Sequence, residues 1–131
     1  GIESPDDLFA AFSTAFLQHQ DSGEIAALYG LESEADQSAI EAVWTNRLAE
    51  ITYNGSMGIS SQSFTGAQML SEEEAADLCS AYPALPEAAC LLHIDSSPDW
   101  SEIWPDWIAG GIELYAARYD GNWYLIPAGI R

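Results

Sequence analysis

The chain has 131 residues, 48% apolar and 11% aromatic, which suits one globular domain over residues 1–131 and excludes a wholly disordered chain. It carries 21 Asp and Glu against three Arg and no Lys, a formal charge of −18. That balance argues against nucleic-acid phosphates and anionic lipid as partners, and no stretch approaches the roughly 18 apolar residues of a transmembrane segment.

A surplus this large belongs on the surface, where it repels itself. It reads in three ways. One is solubility, or life in salty surroundings that screen the repulsion. Another is a basic protein partner steered in by the field. The third is cation binding, for which the sequence offers no Asp-x-Asp-x-Asp-Gly loop, so neither a metal nor a cofactor is implied. The chain opens with Gly1-Ile2-Glu3 rather than Met, as a processed chain would. The expectation is a periplasmic or secreted setting, slightly favoured over the cytoplasm.

In chain order, Ser4-Pro5-Asp6-Asp7 is a helix start: a capping hydroxyl, a proline for the first turn and two acids for the positive dipole end. Leu8, Phe9, Phe12, Ala15, Phe16 and His19 then recur at helical spacing to about residue 20. Asp21-Ser22-Gly23 breaks that helix. A short one follows from Glu24 to Tyr29, closed by Gly30. Ser33 opens a third, whose face is Ala39, Ile40, Val43, Trp44, Arg47, Leu48 and Ile51.

Asn54-Gly55, between Ile51-Thr52-Tyr53 and Ser56–Phe64, predicts a hairpin, although the Ser- and Gly-rich run from Met57 to Gly66 weakens its second arm. Ser71-Glu72-Glu73-Glu74 is a capping box and predicts a helix to about Ala81. Tyr82–Pro86 reads as a loop and Ala88–Asp95 as a strand. Ser96–Asp106 is a Pro- and Trp-rich connection. Ile112–Tyr119 and Asn122–Pro127 are strands joined by Asp120-Gly121. Helices first and antiparallel strands after them mean α+β. The natural packing lays the N-terminal helices in the concavity of a curved, mostly antiparallel sheet, a cone-like arrangement that buries Phe9, Phe12, Phe16 and Trp44.

Two segments carry a resemblance. One is Ser4-Pro5-Asp6-Asp7-Leu8-Phe9-Ala10-Ala11-Phe12 with Asp21 and Ile25-Ala26-Ala27-Leu28-Tyr29. The other is Tyr119-Asp120-Gly121-Asn122-Trp123-Tyr124-Leu125-Ile126. With these the chain resembles the nuclear-transport-factor-2-like superfamily, the cystatin-like α+β cones that include ketosteroid isomerases and polyketide cyclases. The resemblance covers about a quarter of the chain. It implies a pocket between helices and concave sheet. Family isomerases place a base carboxylate in that pocket with oxyanion donors. No acid here aligns with that role, so no catalytic residue is carried over.

Several residues stand out. His93 and Asp95 share one face of a strand, as a base and an orienting acid would. The competing reading puts both on a solvated face while Cys90, Leu92 and Ile94 face the core. Arg47 and Arg118 are conspicuous because cations are so scarce. Each either pairs structurally with a carboxylate or an apolar surface, or serves as a pocket cation for an anionic ligand. Trp100, Trp104 and Trp107 recur at helical spacing and form either a hydrophobic seal or an aromatic platform for a ligand or partner, to which Tyr53 is added as a contact candidate. Cys79 and Cys90 lie eleven positions apart with Pro83 and Pro86 between them. A possible disulfide there would add about 3 kcal/mol.

The functional expectation is a non-enzymatic ligand- or protein-binding domain, with a pocket in the cone and the Trp-rich loop as contact surface. An acidic inhibitor or immunity-type protein that binds a basic partner is the first alternative. An isomerase- or cyclase-like enzyme is the second. The partner is an unknown small molecule or protein, and a homodimer is allowed.

Overall fold

The longer helices begin on side-chain caps, which fixes where the chain turns. A computed structural model describes residues 1–53, 56–98 and 105–128. In α1, Pro5–Ser13, the Ser4 Oγ accepts a hydrogen bond from the Asp7 amide at 3.1 Å. The helix continues as a π-helical turn over Thr14–Gln18, which re-phases the expected stripe. Phe12, Ala15 and Phe16 stay buried, Phe9 is partly buried, and His19 is exposed beside Glu24, with Nδ1 2.7 Å from Oε2.

Asp21, expected only as a breaker, caps α2, Ser22–Ala27. Ser33 caps α3, Glu34–Glu50. In α4, Glu72–Leu78, the Ser71 hydroxyl accepts from the Glu74 amide and the Glu74 carboxylate accepts from the Ser71 amide. A short α5, Asp106–Ala109, begins at the last residue of the Pro- and Trp-rich connection Ser96–Asp106 and fills a stretch to which the sequence assigns no element.

The hairpin is smaller than its sequence suggests. β1, Thr52–Tyr53, pairs only with β2, Ser56–Met57, and the expected Asn54-Gly55 turn lies outside the described residues. The Ser- and Gly-rich run read as a weak second arm is instead an independent strand, β3, Ile59–Met69. With β4 (Ala88–Pro98), β5 (Ile112–Tyr119) and β6 (Asn122–Ile126) it forms a curved, unclosed antiparallel sheet in the order β3-β4-β5-β6. Two bulges in β3, at Ile59/Ser61 and Phe64/Gly66, shift its register against β4 and favour bending. Asp120 and Gly121 both adopt positive φ, 51° and 77°, as a two-residue hairpin turn between β5 and β6 requires.

The N-terminal helices lie against one face of this sheet, as expected. Phe12 stacks on Phe16 at 5.2 Å and meets Trp44 edge-on at 5.4 Å. They share a core with Cys90, Leu92, Ile94, Ile112, Leu114, Trp123 and Leu125. Inside it the Trp44 Nε1 donates to the Tyr29 hydroxyl at 3.2 Å, and burial raises the Tyr29 pKa far above its ordinary value. The opposite face carries a second, smaller cluster of Ala75, Cys79, Ala89, Ala117 and Ile126, covered by α4.

That division overturns the disulfide expectation. Cys90 points into the inner core and Cys79 into the outer cluster, so the sheet separates them and both are free. Burial pushes the Cys90 thiol up to about 11 and raises that of Cys79 as well.

Candidate functional site

The concavity expected to hold a pocket is packed with aromatic rings. Phe12, Phe16, Tyr29 and Trp44 are all fully buried. None of the four described clefts is lined by α1. The candidate contact surfaces therefore lie on the rim and on the outer face.

On the rim, Trp107 of α5 stands edge-on to Trp44 and Phe16, at 6.1 Å and 6.2 Å. The Arg47 guanidinium lies 4.9 Å from the Trp107 ring centroid and 5.0 Å from that of Trp44, a double cation–π contact. Burial lowers the Arg47 pKa from its ordinary value, against the pull of Tyr29 and Glu50. Trp107 Nε1 donates to Glu50 Oε2 at 2.9 Å. Arg47 and Trp107 border a cleft of about 400 Å³ with Asp106, Ile112 and Glu113. Arg47 thus both contacts two indoles and stands at the edge of a cleft. Trp100 and Trp104 lie outside the described residues, as does the side chain of Tyr53.

Arg118 also contacts a carboxylate and a ring. It lies 3.6 Å from the Glu87 carboxylate and 5.8 Å from the Trp123 ring. His93 and Asp95 do share the outer face, Nε2 to Oδ1 at 3.5 Å, while Cys90, Leu92 and Ile94 are buried behind them. Glu113 flanks the other ring nitrogen, also at 3.5 Å. All three side chains are substantially exposed, so this is a solvated patch in which charges are screened.

The surface that sequence reasoning missed lies between α4 and the loop before β4. There a cleft of about 370 Å³ has a mixed lining, apolar from Leu70, Ala75 and Leu85 and polar from Ser71, Glu72 and Glu87. Glu72 and Glu87 stand at its edge, and Glu73, Glu74 and Asp77 are exposed on the same helix. Leu85 is 75% exposed and, with Met69, one of two large apolar side chains left in water among the described residues. A groove that joins apolar walls to carboxylates matches a Lys or Arg side chain, whose stem is apolar and whose head is cationic. The sequence does hold a trace of it: a capping box of three consecutive Glu, followed by Leu85 next to Pro86. Nothing in the spacing shows that the two meet.

No family model matches the chain, and comparison with curated proteins and with solved structures returns no match.

Proposed function

We propose that this chain is a non-enzymatic protein-binding domain that takes a basic protein partner at the cleft between α4 and the loop carrying Leu85. The observation that carries the reading is the coincidence of an exposed leucine, a groove with both apolar and acidic lining, and an acidic helix. The cations give further support. Among the described residues Arg47 is held between two indoles and Arg118 pairs with Glu87 on the loop side of the cleft, which leaves the carboxylates of α4 as the acids a partner would meet. A partner bringing Lys or Arg would gain both steering by the field and burial of the exposed Leu85.

Three N-terminal helices ahead of a sheet whose strands pair in chain order support kinship with the nuclear-transport-factor-2-like superfamily as part of the same proposal, with α4 and α5 set between strands. The pocket chemistry of its isomerases draws less support, because the described residues bury no charged side chain.

The test is affinity capture on the immobilised chain, followed by purification of the captured protein and measurement of its binding. The reading expects a basic protein whose binding weakens in Leu85→Ala and in Glu72→Gln/Glu73→Gln. Capture of an acidic or neutral protein indifferent to those substitutions, or co-purification of a small molecule alone, overturns it.

A further inference from the structure

The two edges of the sheet are treated differently. A strand edge presents unpaired amides and carbonyls, and proteins ordinarily cover it or place charges or proline on it. The β6 edge is covered: the Trp123 amide donates to the Ile2 carbonyl at 2.7 Å and the Leu125 amide to the Leu28 carbonyl at 2.9 Å. The β3 edge is not. Among the described residues its backbone pairs only with β4. β3 has two bulges, which twist an edge, but neither charge nor proline. From Ile51 to Ser71 there is no charged residue and no proline, the longest uncharged run in a chain that is 18% charged. Met69, more than half exposed, lies on this strand.

We propose that β3 is the contact edge of a homodimer. Two chains pair their Ile59–Met69 strands antiparallel about a two-fold axis, giving one continuous sheet of eight strands, four from each chain.

Charge selects the second copy over a basic partner. A partner drawn by the field is drawn to carboxylates, and β3 has none. Two copies carrying −18 each can approach most closely where neither has charge. Every antiparallel register within Ile59–Met69 opposes neutral residues with neutral ones, so no like charges face each other across the pair. Among the described residues the four-stranded sheet has one edge without a backbone partner, so pairing there closes the assembly at two and does not grow into a fibre. Screening relieves the remaining repulsion, so the dimer strengthens as salt rises. That is the opposite of the salt response expected for the basic partner at α4, so the two proposals fail separately.

The experiment is sedimentation equilibrium of the full chain over a range of concentrations, at low salt and at about 1 M NaCl, where the screening length is near 3 Å. Amide hydrogen exchange is run on the same samples. The expected result is a two-chain mass that grows with concentration and salt, with added protection confined to residues 59–69. The second arm is Ser61→Glu/Gln68→Glu. Both positions are exposed and face Ser97 and Leu91 on β4, so the added charges meet no acid directly opposite within one chain. This variant should keep the wild-type circular dichroism and lose the two-chain species. A single-chain mass under every condition, protection that appears elsewhere, or a dimer that survives in the folded variant overturns the proposal.

Discussion

The Arg47 guanidinium lies 4.9 Å from the Trp107 ring centroid, fastening α5 to α3 by a stacked cation instead of an ion pair. The same guanidinium is 5.0 Å from Trp44, and Trp107 is held in place by its bond to Glu50. Cation–π contacts at a partly desolvated site are worth about 0.5–2 kcal/mol. Arg47→Ala should therefore lower the unfolding free energy by about 1–2 kcal/mol in urea denaturation. Arg47→Lys should recover part of that loss. An unchanged midpoint for the alanine variant would mean that the stack contributes nothing.

The cysteines should behave as two buried thiols. Neither should react with a thiol reagent in the folded protein, since burial raises both pKa values and hides the sulfurs. Both should react on unfolding, and a reductant should leave the melting temperature unchanged. An intact mass short of two hydrogens that reductant restores would contradict their placement on opposite faces.

Local chemistry made much of this fold readable. Ser4, the Ser71/Glu74 pair and the Asp120-Gly121 turn each satisfy backbone groups within a few residues, so their meaning survives without tertiary context. β3 was not readable that way. Its residues are poor strand formers, and its two bulges destroy the alternation that identifies a half-buried strand. It is a strand because β4 offers it a ladder. The acid-rimmed cleft fails for a related reason: Glu72 and Leu85 meet only through the packing of α4 on the outer face. The faces of Cys79 and Cys90 depend on the same packing.

Salt should stabilise the fold. The described residues bury no charged side chain, and the exposed Arg118–Glu87 contact has little to lose by screening. Relief of repulsion among 21 carboxylates should dominate. The melting temperature should rise from low to moderate NaCl; a fall would show that attractive ion pairs outweigh repulsion.

Glu74 should give the cap of α4 a pH signature. Hydrogen bonds from the Ser71 amide and hydroxyl hold its carboxyl below the ordinary glutamate value. A depressed folded-state pKa means stability that is present above the unfolded pKa and disappears as pH falls through the folded one. The wild type should therefore gain its greatest advantage over Glu74→Gln at neutral pH. The gap should shrink on acidification below the usual glutamate range. A difference independent of pH, or one growing in acid, would place the shift elsewhere.

The most direct measurement of partner recognition is the dissociation constant of the captured complex across a salt series. Raising NaCl from about 0.1 M to about 1 M shortens the screening length from about 10 Å to about 3 Å. Affinity should fall steeply over that range for the wild type, and much less for Glu72→Gln/Glu73→Gln. An affinity that holds constant with salt, or the same salt slope in both proteins, would contradict recognition through the acidic helix.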